Sequence, residues 1–176
     1  MSLLLDTTKD PGTTIPPLPP GYTLIPTVAP IDDFYHLRQA AAVLQVTKPQ
    51  IAASINQTWF GCHITYTDPS SSYTDPSSSA TPTVVGMGRT LSGGWVYHIV
   101  DMVVLPAHQR RGLGDIILKR IVKEIEDRAP PGPTLLTMMA DPGAQKLYRR
   151  NGFSDTPAAL GMRRIIDLAA GESGGE

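Results

Sequence analysis

The stretch from Tyr97 to Arg128, YHIVDMVVLPAHQRRGLGDIILKRIVKEIEDR, decides the fold of this chain. Its first part, Tyr97 to Leu105, is rich in β-branched residues and predicts a strand, which Pro106 ends. Its last part, Leu113 to Arg128, carries apolar residues at helical spacing and predicts an amphipathic helix. A strand, a short loop and a helix in this order favour an α/β fold.

Further strands are predicted where β-branched and aromatic residues cluster between turn signals. They are Tyr22–Val28, Trp59–Thr65, Thr83–Gly88, Thr134–Ala140 and Gly161–Leu168. The run at Thr134–Ala140 contains only apolar and hydroxyl residues, so we expect it to be buried on both faces. Hairpins in the middle and strand–helix alternation in the second half predict a single α/β domain with a mixed sheet.

Capping signals predict three further helices. Asp32 or Asp33 is expected to cap the first, and Thr47 begins the second with a capping box and a proline in the first turn. Asp141, followed by proline, is expected to cap the third. Asn151-Gly152 should end that helix in a left-handed conformation.

The domain boundaries follow from composition. Residues 1–20 form a proline-rich tail, residues 21–170 the folded domain and residues 171–176 a polar tail. An exact repeat, YTDPSSS twice from Tyr66 to Ser79, is predicted to lie in a solvated loop at 66–82.

The overall composition excludes several classes of protein. The 176 residues carry a formal net charge of −1, which disfavours nucleic acid as a partner, and no segment has the length and apolarity of a signal peptide or membrane span. Cys62 is the single cysteine and is expected to be a buried thiol in a reducing compartment. We expect a cytoplasmic monomer or homodimer that holds no metal, since no His or Cys pairs have ligand spacing.

The loop before the helix has the features of an anion site. Gly112 and Gly114 let the backbone approach a ligand, the helix start presents unpaired N–H groups, and Arg110 and Arg111 add positive charge. The loop lacks the order of a nucleotide P-loop, and residue 117 is Ile where a dinucleotide loop needs a third glycine.

Two segments carry a resemblance to a known family. Gln109-x-x-Gly112-x-Gly114 follows a strand that ends in Val-x-Leu-Pro, and Asp141 to Phe153 contains Ala-x-x-x-Tyr-x-x-x-Gly-Phe. Together they resemble the GNAT superfamily of acetyl-CoA-dependent N-acetyltransferases. The resemblance implies a mostly antiparallel twisted sheet flanked by helices, with two splayed strands that hold coenzyme A.

The resemblance also implies a site for the cosubstrate, acetyl-CoA. The backbone of Gln109 to Gly114 would cradle the pyrophosphate, and a backbone N–H near Val103 or Val104 would polarise the thioester carbonyl. Asp115 departs from the family pattern and should turn outward to pair with Lys119. The full set implied for this site is Met102, Val103, Val104, Gln109, Arg110, Arg111, Gly112, Leu113, Gly114, Asp141, Lys146 and Tyr148.

Three residues are candidates for catalysis. Tyr148 matches the family tyrosine that protonates the leaving sulfur, although a tyrosine of the core remains an alternative. His98 and Asp101, both on the strand before the loop, are candidates for the base, and each has a purely structural alternative. Simple alternation would place them on opposite faces of the strand, and a bulge between them would change that.

The predicted function is direct transfer of an acetyl group to a small amine, such as an arylalkylamine, a polyamine or an amino sugar. The alternatives are a protein Nα- or lysine acetyltransferase and an inactive coenzyme A-binding protein. Trp59, Trp95 and Tyr97 could line an acceptor pocket or belong to the core. His36, His63 and His108 show no partner signature and receive no role.

Overall fold

The computed structural model describes residues 13–41, 44–69 and 81–156. The predicted strand at Gly161–Leu168 and most of the YTDPSSS repeat lie outside these residues. The described elements, in chain order, are β1 (Tyr22–Ile25), α1 (Ile31–Ala40), α2 (Lys48–Ile55), β2 (Phe60–Tyr66), β3 (Thr83–Ser92), β4 (Val96–Val104), a 3-10 turn (Pro106–His108), α3 (Leu113–Arg128), β5 (Leu135–Met138) and α4 (Gln145–Arg149). They belong to two compact units, Met1–Ala140 and Asp141–Glu176.

The first unit is built on one five-stranded sheet in the order β1-β2-β3-β4-β5. Neighbouring strands are antiparallel except β4 and β5, which are parallel. The parallel step follows from α3, which lies between β4 and β5 in the chain and provides the crossover that parallel strands require. The predicted α/β fold with a mixed, mostly antiparallel sheet flanked by helices is confirmed.

Helices cover the two faces of the sheet. α3 packs against β2, β3 and β4, and its approach is close at Gly88, where an added Cβ would lie 2.6 Å from a side-chain carbon of Ile117. On the other face, Phe34 and Leu37 of α1 and Ile51 of α2 are buried with Met87 of β3. The core therefore has two layers, one on each side of the sheet.

The start of α2 is as predicted, whereas the start of α1 is not. Thr47 caps α2, and its side chain and that of Gln50 form the reciprocal bonds of a capping box. The expectation that Asp32 or Asp33 caps α1 is wrong, because Pro30 occupies the N-cap and its carbonyl accepts the N–H of Phe34 at 2.8 Å. Both aspartates lie in the first turn, where the helix dipole favours a carboxylate.

The burial predicted for the strand after α3 is also wrong. β5 spans Leu135–Met138, and Leu135 is 48% exposed. Among the described strands β5 lies at the end of the sheet order, with β4 as its only neighbour. An edge strand is covered less completely than a central one, so its apolar composition does not imply burial on both faces.

In the second unit, α4 begins later than predicted. The proposed cap by Asp141 is wrong, because Asp141 accepts the N–H of Ala144 in a turn and Ala144 is the N-cap of α4. The predicted end is confirmed: Gly152 has φ +83°, and the N–H of Phe153 reaches back to the carbonyl of Tyr148 at 3.2 Å. These are the features of a left-handed helix end.

Strand β4 contains the bulge on which the placement of the candidate bases depends. Met87 pairs with Val103 and Arg89 with Val100, so β4 has one residue more than β3 in this interval. Asp101 lies there with φ 53°, a left-handed conformation that Asp adopts more readily than most residues. None of the described helices is long and apolar enough to cross a bilayer.

Candidate active site

An open strand edge leads into the glycine loop. β4 and β5 pair from Val96 with Leu135 to Ile99 with Met138. β4 continues to Val104, and no described strand pairs with this second part on the side of β5. β5 ends at Met138, so the second part of β4 extends beyond it. On that side no described strand occupies the backbone N–H groups of this part of β4, whereas the carbonyl of Val104 accepts a hydrogen bond from Gln109.

The directions of the backbone groups on this edge follow from one hydrogen bond. The N–H of Leu105 donates to the carbonyl of Val85 at 2.8 Å and so points toward β3. Because successive N–H groups of a strand alternate in direction, the N–H of Val103 also points toward β3 and that of Val104 points to the open edge. Gln109 Nε2 donates to the carbonyl of Val104 at 3.0 Å and connects this edge to the loop.

The loop between β4 and α3 has two residues with positive φ. They are Arg110 (φ 61°) and Gly112 (φ 81°), and Gly112 is the N-cap of α3. Gly112 supplies no side-chain cap, and the first N–H groups of a helix have no carbonyl partner within the helix. Arg110 and Arg111 are exposed beside them. A helix start without a cap, flanked by two guanidinium groups, is suited to bind an oxyanion.

Asp115, which departs from the family pattern, forms the predicted ion pair: its carboxylate lies 3.0 Å from the ammonium group of Lys119. Arg120 and Glu124 form a second pair, at 2.7 Å. Both pairs have i,i+4 spacing on α3.

His108, to which the sequence assigned no role, supports the loop. Its Nδ1 lies 2.8 Å from the hydroxyl of Tyr22, and its ring packs edge-on against Tyr22 and in a tilted contact with Tyr66. Burial, and then the positive charge of Arg111, lower the pKa of His108. A neutral ring thus joins the start of the loop to β1 and β2. His63 likewise has a structural contact, to the carbonyl of Thr27 at 2.7 Å.

The two candidate bases lie on the same face of the sheet. Leu91 pairs with His98, and Arg89 pairs with Val100. Directly opposed residues share a face, so His98 lies on the face of Arg89. The bulge turns the side chain of Asp101 to that face as well, where it bonds Arg89. The bulge therefore removes the separation that simple alternation predicts.

The surroundings of the two candidates differ. His98 is half-buried, and its Nδ1 lies 2.9 Å from the Oγ1 hydroxyl of Thr137 on β5. Asp101 is buried between two guanidinium groups: Oδ1 accepts a bond from Arg38 Nη1, and Oδ2 accepts one from Arg89 Nε at 2.6 Å. Charge-assisted hydrogen bonds thus occupy both carboxylate oxygens.

The arginines of this triad are themselves anchored. Arg89 also donates to the carbonyl and hydroxyl of Ser54 and to the hydroxyl of Thr58, each at 3.0 Å. Arg38 Nη2 donates to the carbonyl of Leu44 at 2.5 Å. Neither arginine was predicted as a site residue, because nothing in the sequence relates residue 38 of α1 to residue 89 of β3.

Tyr148 belongs to the second unit. It is buried, its ring meets that of Phe153 edge-on with centroids 6.0 Å apart, and it lies on α4. The pKa of Tyr148 is raised, mainly by burial and to a smaller extent by the negative charge of Asp141. The phenol is therefore protonated at neutral pH. Asp141 and Lys146 are exposed.

The three aromatic candidates for an acceptor pocket do not form one together. Tyr97 is fully buried and meets Trp59 edge-on at 4.9 Å, while Trp95 is 63% exposed in the turn between β3 and β4. Cys62 is buried as predicted, and burial raises the pKa of its thiol to about 12. No group of three or more potential metal ligands occurs among the residues that the structure describes.

The mixed sheet and the loop with the uncapped helix start are features that acetyltransferases share with this chain. Residues 80–155 match the model of the acetyltransferase (GNAT) domain. This match supports an acyltransferase of the N-acetyltransferase type. No curated protein matches the chain significantly.

Solved structures share the fold. A probable acetyltransferase from meticillin-resistant Staphylococcus aureus is 24% identical over 82% of this chain and 99% of its own, with a TM-score of 0.68. Glucosamine-6-phosphate N-acetyltransferase from Arabidopsis thaliana is 14% identical over 82% and 99%, with a TM-score of 0.55. Ribosomal-protein-S18-alanine N-acetyltransferase from Escherichia coli is 18% identical over 76% and 79%, with a TM-score of 0.57. The last two differ in acceptor, so likeness of fold does not identify the acceptor.

Proposed function

We propose that this protein transfers the acetyl group of acetyl-CoA directly to the amine of a small molecule. The observation that carries the proposal is the open edge of β4 that leads into the loop Gln109–Gly114. An extended chain with amide groups can bond such an edge like an added strand, and its phosphates then meet the start of α3. The pantetheine arm and pyrophosphate of the cosubstrate have this chemistry.

The N–H of Val104 is the donor that we assign to the thioester carbonyl. It points to the open edge, whereas the N–H of Val103 is directed toward β3. A fixed N–H aimed at this oxygen stabilises the negative charge that develops there during attack. Met102 and Val103 would then contribute to the cosubstrate site only as part of strand β4, without a hydrogen bond to the thioester carbonyl.

His98 is the residue that we assign to the base. An amine must lose a proton to attack, and a C–N bond then forms while the C–S bond breaks. The ammonium gives one proton to His98, directly or through water, and becomes the neutral amine that attacks. The nitrogen loses a second proton to water as the amide forms, and the leaving sulfur takes a proton from Tyr148, which water then reprotonates. Thr137 orients the imidazole through Nδ1 and leaves the other ring nitrogen for this exchange. Asp101 is assigned to structure, since two arginines occupy its oxygens.

A cavity beside β4 favours a small acceptor. It lies between α1, α2, β3 and β4, has a volume of about 210 Å³, and includes Asp101 in its wall. Ligand pockets for drug-sized molecules measure roughly 300–1,000 Å³, so this space suits a small molecule or one end of it. A protein Nα- or lysine acetyltransferase is the second candidate, because the fold is shared with a protein-modifying enzyme.

Tyr148→Phe tests the mechanism. We expect kcat to fall by about 10²–10⁴-fold, the usual contribution of a general acid, with the Kd for acetyl-CoA unchanged. Because the pKa of Tyr148 is raised, the acid is lost only above about pH 10, so the alkaline fall of kcat should be absent in the variant. Thiol release with an amine panel and calorimetric titration of acetyl-CoA provide the two measurements.

Tyr35→Phe is the matched control, since Tyr35 also lies on a helix and is half-buried. It should leave kcat unchanged. Normal turnover by Tyr148→Phe would remove Tyr148 from the mechanism. Thiol release that does not depend on any amine, together with intact binding of acetyl-CoA, would favour a coenzyme A-binding protein without transfer activity.

A further inference from the structure

The cavity beside β4 carries a net positive charge. Its wall includes the side chains of Arg38, Arg89 and Asp101, together with apolar groups such as Phe34 and Ile51. Two guanidinium groups carry +2 and one carboxylate carries −1, so this triad leaves a net charge of +1. The other lining residues are uncharged at neutral pH. Burial of an unbalanced charge is unfavourable, so a positive cavity of this kind favours an anionic ligand.

The two arginines differ in what they have left to donate. Arg89 is held by Asp101, Ser54 and Thr58, so its guanidinium is fixed in place. Arg38 bonds Asp101 and the carbonyl of Leu44, and its buried Nε has no hydrogen-bond partner among the described residues. Each terminal nitrogen of Arg38 uses one N–H in these bonds, so the guanidinium has further donors for a ligand that accepts hydrogen bonds. Arg38 is therefore the side chain that a ligand of the cavity would meet.

We propose that this cavity binds an anionic oxygen group, a carboxylate or a phosphate monoester, on the acceptor amine. The inference rests on the proposed function and names the class of its substrate. Arg38 binds the anion, Arg89 and Asp101 hold Arg38 in position, and the amine extends toward the open edge of β4. Guanidinium groups bond carboxylates and phosphates through paired donors, which also orients the molecule.

The same charge acts on the amine. An amine that carries an anionic group balances the net charge of the triad when it binds. A diamine without an anionic group gains no bond to Arg38 and brings a second positive charge close to the triad. The cavity thus discriminates against polyamines and in favour of amines with an acidic end.

Matched amines with and without the anion test the proposal. The pairs are 4-aminobutyrate with butylamine, leucine with isopentylamine, and O-phosphoethanolamine with ethanolamine, all assayed by thiol release from acetyl-CoA. We expect kcat/KM to be about 10- to 150-fold higher for the anionic member of at least one pair, the range for a charge-assisted hydrogen bond. The carboxylate and phosphate pairs separate the two sources of the anion.

Arg38→Gln should remove this preference, so that the kcat/KM for the anionic amine falls toward that for its uncharged partner. Asp101 keeps Arg89 as a partner in this variant, so the fold should persist, and the urea midpoint checks it. Arg128→Gln is the matched control, because Arg128 is an exposed arginine that also pairs with a carboxylate, that of Glu124. It should leave the preference unchanged.

A binding measurement keeps the inference separate from turnover. Calorimetric titration of 4-acetamidobutyrate and of 4-acetamidobutyramide into the protein with coenzyme A compares the charged and uncharged products directly. Tighter binding of the carboxylate, lost in Arg38→Gln, supports the anion site. Equal or weaker binding of the carboxylate, with no anionic preference in thiol release, overturns it. Failure of every amine to release thiol contradicts the proposed transfer instead, whichever product binds better.

Discussion

The donor site and the acceptor cavity are built from different materials. The donor site comprises the second part of β4 and the loop Gln109–Gly114, and it is made mainly of backbone groups placed by positive φ angles and a strand edge. The acceptor cavity is made of side chains, above all Arg38, Arg89 and Asp101, that meet from three elements. They share β4: its edge belongs to one site and its bulge residue, Asp101, to the other.

This difference explains how one fold can serve many acceptors. Backbone groups are present whatever the side chains are, so a backbone site persists as long as the strand and the loop keep their conformation. A side-chain site changes with each substitution of its lining residues. The shared fold of the sugar-phosphate and the ribosomal-protein acetyltransferases is consistent with this division. We therefore expect the proposed donor site to be shared among acetyltransferases of this fold, and the cavity to determine which acceptor is used.

The largest expected effect is a loss of folding stability when the cavity, rather than the donor site, is changed. Asp101→Ala leaves Arg38 and Arg89 buried without their carboxylate, and removal of one partner from a buried ionic group typically costs about 3–5 kcal/mol. Urea unfolding with a constant m-value would measure the loss. Asp101→Asn is the control for conformation, because Asn also adopts positive φ but lacks the charge. Full stability of the Asn variant would assign the role of Asp101 to the bulge rather than to the charge.

A smaller effect is expected at the donor site. Gly112→Val places a β-branched residue at φ +81°, at a cost of about 1–2 kcal/mol in strain, although no atom lies within 4 Å of the added Cβ. The loop can relieve the strain by a change of conformation, which would turn its N–H groups away. We expect acetyl-CoA affinity to fall by at least about tenfold, the equivalent of 1.4 kcal/mol.

Gly94→Val is the control for this prediction. Gly94 has φ +94° and an equally open surrounding, but it lies in the turn between β3 and β4. It should show a similar loss of stability and unchanged acetyl-CoA affinity in calorimetry. Equal affinity of the two variants would contradict the assignment of the loop.

The smallest effect is expected at Cys62, which belongs to neither site. Burial holds the pKa of its thiol at about 12, so almost no thiolate exists at neutral pH. Cys62→Ala should therefore keep the kcat of the unmodified protein, as direct transfer requires. A large fall in kcat, with an unchanged urea midpoint, would indicate an acetyl-cysteine intermediate. It would also move part of the chemistry to the face of α3.

The sequence predicted the elements of the proposed donor site well because they are contiguous. Strand, loop and helix follow one another from Tyr97 to Arg128, and α3 begins and ends as expected. The positive φ angles of Gly112 and Gly152 could be expected from the sequence, because glycine adopts this conformation more readily than other residues. The choice between Val103 and Val104 did not follow from the sequence, because it depends on which edge of β4 pairs with β3.

The acceptor cavity was beyond prediction for the opposite reason. Arg38, Arg89 and Asp101 are 51 and 12 residues apart along the chain, and only the sheet register and the bulge bring them together. Thr137 meets His98 through the parallel pairing of β4 and β5, which the sequence does not specify. The predicted cap at Asp32 or Asp33 was wrong for a local reason. The helix begins earlier, with Pro30 as the N-cap, and the two aspartates lie in its first turn.

The open edge of β4 has a consequence for the protein in storage and at high concentration. A strand edge with free N–H and C=O groups accepts any extended chain, including that of a neighbouring molecule, and natural sheets usually protect such edges. This protein cannot protect the edge permanently without closing the place that we assign to the cosubstrate. We therefore expect self-association to decrease when coenzyme A occupies the edge.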